Sequence, residues 1–126
     1  MDEDLEYEIL WNKSHTEATT ILAATEYDKC SDNYDHEGIE KIFWHLLREY
    51  IEGRISEHTM SLICLDYEYD PTHHNMSQEA KIAMYECIKL EDLTFFRIDE
   101  IRADEIRENL KEDVSNYFGM WIKNFD

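Results

Sequence analysis

Proline occurs once, at Pro71, and glycine three times, at Gly38, Gly53 and Gly119, in 126 residues. Chains that stay unfolded are rich in such residues and poor in aromatic and branched apolar ones. Here 43% of residues are hydrophobic and 13% aromatic, so disorder is excluded despite the charge load. No internal repeat or low-complexity linker divides the chain, and its length suits one domain with one modest core over 1–126. Cysteine is equally sparse. Cys30, Cys64 and Cys87 are odd in number, widely spaced, and form no CxxC pair. That excludes a disulfide framework, and the three read as small buried hydrophobes of a reduced, cytoplasmic protein.

Lysine and arginine total only 12 against 30 aspartates and glutamates, a formal charge of −18. Phosphate backbones are gripped by cations on a continuous face, so this deficit excludes direct nucleic-acid binding and disfavours an anionic membrane. No stretch has the length of a membrane span. The opening MDEDLEYEILW is acidic where a secretion signal needs a basic segment and then an apolar run. Motifs for chemistry are missing too: there is no phosphate loop, nucleophile elbow or Gly-rich nucleotide motif. Carboxylates are so numerous that no acid/base pair stands out. The chain reads as a binding protein, neither an enzyme nor a cofactor carrier.

What is present is helical patterning. In IEKIFWHLLREYI, Ile39, Ile42, Phe43, Leu46, Leu47, Tyr50 and Ile51 follow the three-four spacing of an amphipathic helix. Gly53 stands where a helix C-terminus favours a left-handed residue. Ser56 then caps a second helix bearing Met60, Ile63, Cys64 and Tyr67, which Pro71 breaks. Ser77 caps a third with Ala80, Ala83, Met84 and Cys87 on one face, and its apolar continuation IKLEDLTFFRI is expected to be largely buried. Asp99 or Ala103 begins a final helix with Ile106, Leu110, Val114, Tyr117 and Phe118, and Trp121 near its end. Upstream the signals are weaker. LEYEILW allows a short strand or the first turns of a helix, SHTE at 14–17 reads as a capping box opening a short helix, and DKCSDNYDHEG at 28–38 reads as an acidic loop. The expectation is an all-α bundle of four or five helices over 38–126, with 1–37 as an N-terminal extension that adds a short strand or an extra helix.

Several polar constellations have an ordinary structural reading. His73 and His74 lie near Asp66 and Asp70, but adjacent histidines seldom face one ion, and neither HExxH nor Cys/His spacing accompanies them. They read as surface histidines of a turn, without metal. His45 flanks the apolar face of the best helix as a packed or boundary residue. Cys30, in an exposed acidic loop, would have a raised thiol pKa and blunted reactivity. Tyr27, Tyr34, Tyr67 and Tyr69 stand among carboxylates, either as a binding edge that presents rings to cations or as a lid over the core.

The stretch DEIRADEIRENLKED at 99–113 is different. Glu100, Asp104, Glu108 and Glu112 recur every fourth residue and form one acidic line on a helix. Pairs Asp99–Arg102, Asp104–Arg107 and Glu108–Lys111 account for its cations and leave Glu100, Glu105, Glu112 and Asp113 over. Acidic surplus recurs at Asp2–Asp4 with Glu6 and Glu8, across 28–40, and at 66–70. Repulsion among so many carboxylates opposes folding, so their retention points to a cationic protein partner.

From Ile42 onward, LLREYIEGRISEHTM and ADEIRENLKEDVSNYF resemble the bacterial self-protective colicin D-type immunity family, whose pattern is a helix, a short G-(K/R/E)-I-S turn, a second and third helix, and a charged closing helix. Helical immunity proteins of contact-dependent growth inhibition are a looser functional analogy. The resemblance covers about the last two thirds of the chain and implies a helical bundle that blocks a nuclease toxin, often one cleaving tRNA. The expected function is therefore an immunity protein, with a phage-encoded nucleic-acid mimic that inhibits a restriction or CRISPR enzyme as the alternative. The residues expected to meet the partner are Glu100, Asp104, Glu108 and Glu112, with Asp66, Glu68, Tyr69 and Asp70.

Overall fold

Short-range capping chemistry cuts the chain into helices. The computed structural model describes residues 3–95 and 98–119 and contains six α-helices, with no strand among the described residues. They are α1 (Glu3–Ala23), α2 (Tyr27–Asp32), α3 (His36–Ile51), α4 (Glu57–Tyr69), α5 (Gln78–Phe95) and α6 (Glu100–Phe118), with a 3-10 turn at Pro71–Asn75. The side chains of Asp35, Ser56, Ser77 and Asp99 accept the backbone N–H three residues on, at 3.0, 3.2, 3.2 and 2.9 Å. Each satisfies one donor that a helix start leaves free. At the end of α3, Gly53 has φ +87°, and the N–H groups of Gly53 and Arg54 return to the carbonyls of Tyr50 and Glu49. This paired closure is available because glycine tolerates the left-handed conformation.

The most buried helix is α4. Thr59 to Cys64 and Tyr67 are all buried, because α1 and α5 pack on two sides of it and α3 crosses nearby. Tyr67 donates its hydroxyl to the Ile39 carbonyl at 2.7 Å, and its ring meets those of Tyr27 and Phe43. Cys64 and Cys87 are buried, as expected of small hydrophobes. In α6, Ala103, Ile106, Leu110 and Val114 form the inward stripe. The all-α class holds. No described helix is long and apolar enough to cross a membrane.

The N-terminal third differs from expectation. α1 runs unbroken from Glu3 to Ala23, so LEYEILW is helical and Ser14 does not open a helix. Ser14, Ala18 and Leu22 are buried at four-residue steps, and α1 packs on α4 with the small Ser14 and Ala18 in this inward row. Glu17, assigned above to a capping box, accepts the Thr59 hydroxyl at 2.9 Å instead. The hydroxyls of Thr16, Thr19 and Thr20 donate to carbonyls one turn back, which accommodates these β-branched residues in helix. In residues 3–37, α1 packs on α4 and α2 packs on α3.

The acidic loop at 28–38 holds α2 and the first turn of α3. Asp70, at the end of α4, accepts hydrogen bonds from the Tyr27 and Ser31 hydroxyls, and tertiary bonds of this kind give shape to a segment with only turn signals. Tyr34, with φ +53°, reverses the chain between the two helices. In the continuation of α5, Leu90 and Leu93 are buried but Ile98 is exposed, while Phe96 and Trp121 lie outside the described residues.

Candidate functional site

The acidic line is on the solvent side of α6. Glu100, Asp104, Glu108 and Glu112 are all exposed, one turn apart, in steps of about 6 Å along the axis. Glu105 lies beside them, and Ile98 and Ile101 flank the start of the row at 67% and 77% exposure. Ile101, Asp104, Glu105, Glu108 and Asn109 line a shallow open groove there. Large apolar side chains this exposed beside carboxylates have the make-up of an interface patch.

The pairing expected within α6 is only partly found. Arg107 meets Asp104 at 2.6 Å but also reaches Glu57 at the start of α4, at 2.7 and 3.1 Å. Asp99 is used as the helix cap, so Arg102 turns to Glu105 at 3.2 Å, which gives Glu105 the partner it was expected to lack. Lys111 is buried. Arg48 pairs with Glu52 at 2.6 Å, and Arg54 with Glu49 and Glu52. Every described arginine is therefore engaged inside the fold. Glu100, Glu108 and Glu112 form no ion pair with a described residue.

The second expected set is a separate patch. Arg107 clasps the first turn of α4, whereas Asp66, Glu68, Tyr69 and Asp70 end that helix, roughly 14 to 20 Å further along its axis. Tyr69 is strongly exposed, and Asp66 and Glu68 are half-buried. Burial pushes the Asp66 carboxyl above its usual range. Asp70 is occupied. Burial raises its carboxyl, but hydrogen bonds from Ser31, Thr72 and Tyr27 outweigh this and hold it below the ordinary value. Its role is to pin α2 and cap the 3-10 turn.

The tyrosines divide two and two: Tyr27 and Tyr67 are core, Tyr34 and Tyr69 are exposed. His73 is buried rather than superficial, its Nδ1 2.7 Å from the Asp70 carbonyl and its ring 4.0 Å from that of His74. Among the described residues no three His, Cys, Asp or Glu side chains converge to hold a metal ion. His45 is exposed, edge-on to Phe118, a boundary position as expected. Cys30 lies half-buried in α2, its thiol raised by burial and then by Asp35.

One cleft carried no signal in the sequence. It opens between α3, α5 and α6, encloses about 370 Å³, and is lined by Glu40 and Trp44, Ser77 and Glu79, and Asp113, Asn116 and Tyr117. Trp44 and Tyr117 stack at 4.9 Å with planes only 13° apart. Glu40 is committed to the fold, accepting the Trp44 indole N–H at 3.1 Å and both the backbone N–H and the hydroxyl of Ser77. Asp113 is pushed up to about 6 by burial, with Glu86, Glu112 and Glu79 adding to the rise. Only aromatic-acid spacing across some 70 residues could have hinted at it, and no local rule links such positions.

No protein-family model matches this chain, and no match was found among curated proteins or solved structures.

Proposed function

We propose that this chain is an immunity protein, a stoichiometric inhibitor that neutralises a cognate nuclease toxin by filling its basic substrate cleft. The observation that carries this reading is the division of charge. Described arginines are spent on intramolecular pairs, while Glu100, Glu108 and Glu112 form no ion pair with a described residue and stand in an evenly spaced, solvent-facing row beside exposed Ile98 and Ile101. Further support comes from the GRIS junction between α3 and α4 and from the charged closing helix, the two places where the chain resembles the colicin D-type immunity family.

In this mechanism the net charge of −18 draws in a cationic domain at long range. The α6 carboxylates then take the lysines and arginines that would hold nucleic acid, and Ile98 and Ile101 bury apolar area at the rim. Inhibition is steric and electrostatic, with no bond made or broken.

The test is rescue from growth arrest by toxins encoded beside this chain, together with association kinetics. Replacing Glu100, Glu108 and Glu112 with lysine disturbs no ion pair among the described residues. It should slow association by at least about tenfold at low salt, and the unmodified chain should itself slow as salt rises. Undiminished capture by the triple variant refutes the reading. The regular row also suits the alternative, a nucleic-acid mimic that inhibits a restriction or CRISPR enzyme. Capture of such an enzyme, with no toxin neutralised, would move the conclusion there.

A further inference from the structure

Of the cavities in the bundle, the cleft between α3, α5 and α6 combines two features that do not depend on one another. It has a flat aromatic wall, because Tyr117 is held parallel to buried Trp44 while remaining 44% exposed. Its described lining is acidic: among the described residues none that lines it is a cation, and of its carboxylates Glu40 is satisfied by internal donors.

We propose that this cleft receives an arginine side chain of a partner protein, with Tyr117 as the stacking platform and Glu79 and Asp113 as acceptors for the guanidinium. A guanidinium suits the geometry better than an ammonium. It is planar, so it can lie on the tyrosine face, and its forked N–H groups match a carboxylate at the edge of that face. An ammonium ion gains from the same charge but has no plane to stack and holds its water more tightly. Size agrees as well: about 370 Å³ exceeds one small ion and lies near the lower end of ligand-sized clefts, roughly 300 to 1,000 Å³. Partner arginines are frequent anchors of protein interfaces. The inference rests on the immunity reading only in taking the arginine from a protein.

The experiment is a titration of the isotopically labelled full chain, at low salt, with acetyl-Gly-Arg-Gly-amide, its lysine and citrulline counterparts, and spermidine. The arginine peptide should give saturable shifts at the Trp44 indole N–H and at the Asp113 and Tyr117 amides, and bind at least about fivefold tighter than the lysine peptide. The citrulline peptide, equal in shape but uncharged, should not bind. Asp113→Asn and Tyr117→Leu should each weaken the arginine peptide by about fivefold or more, while Glu6→Gln, the same loss of one charge on exposed α1, should leave it unchanged. Two results overturn the proposal: equal binding by arginine, lysine and spermidine with shifts spread over the acidic surface, or no saturable shift at the cleft. No toxin enters this titration, so its failure leaves the growth-rescue test standing, and absence of a toxin leaves the cleft standing.

Discussion

Replacing Asp113 with asparagine keeps the shape of the side chain and removes one negative charge where Glu79, Glu86 and Glu112 also press. Its carboxyl is at about 6 in the fold against an ordinary value of 3.8. At about 1.36 kcal/mol per pH unit, that difference opposes the ionised form by roughly 3 kcal/mol. The side chain is only half-buried, and screening by water and salt reduces the realised share to about 1–2 kcal/mol. Folding raises this pKa, so protonated Asp113 favours the folded state fully below 3.8, and the contribution is lost as pH climbs through about 6. At pH 7.5 the ionised group therefore destabilises the fold. Asp113→Asn should add about 1–2 kcal/mol there, equivalent to roughly 4–8 °C in Tm for a domain of this size. The gain should shrink mainly between pH 6 and pH 4, be nearly gone by pH 3.5, and fall in high salt. Urea unfolding followed by circular dichroism measures it, with an unchanged m-value as the check that only stability moved. A neutral or destabilising effect at pH 7.5, or a gain that ignores pH, would refute the crowding of charge inferred here. The same variant is expected to bind the arginine peptide more weakly, the signature of a residue kept for function at the expense of stability.

Two further substitutions probe the frame that holds α6 in place. Arg107→Gln leaves Glu57, which also accepts the Tyr50 hydroxyl at 2.6 Å, without its cation, and should lose about 1–2 kcal/mol, between the values for exposed and fully buried pairs. A double-mutant cycle with Glu57→Gln should recover part of that loss, and strict additivity would mean that the clasp between α4 and α6 is not coupled. Gly53→Ala has no neighbour within 4 Å to collide with, so its expected loss of about 1–2 kcal/mol comes from backbone strain at φ +87° alone. A cost near zero in urea unfolding would show that the turn after α3 relaxes.

Much of the molecule from α3 onward was legible along the chain. Caps at Ser56, Ser77 and Asp99, the glycine closure at Gly53 and the apolar stripe of α3 all arise from contacts within about four residues, which a sequence displays directly. The acidic row of α6 was visible for the same reason. Ser14 misled because a serine followed three residues later by a glutamate is a helix start only if the preceding residues leave the helix. Packing of Ser14 and Ala18 against α4 keeps them in it. The segment at 28–38 looked like loop because the bonds that shape α2 come from Asp70, some 40 residues away. His73 is buried by the same turn that Asp70 caps.

Spacing and capping along the chain were enough to establish an all-helical molecule with a surplus of anions and a carboxylate row on its last helix, since helical periodicity places those groups whatever the helix packs against. Packing alone settled which acids are tied down and which are crowded. Asp70 meets donors from α2 and its own turn, whereas Asp113 lies within electrostatic reach of Glu79 and Glu86 of α5. Coulomb energy depends on distance in space, and for residues far apart in sequence that distance does not exist until the helices have packed.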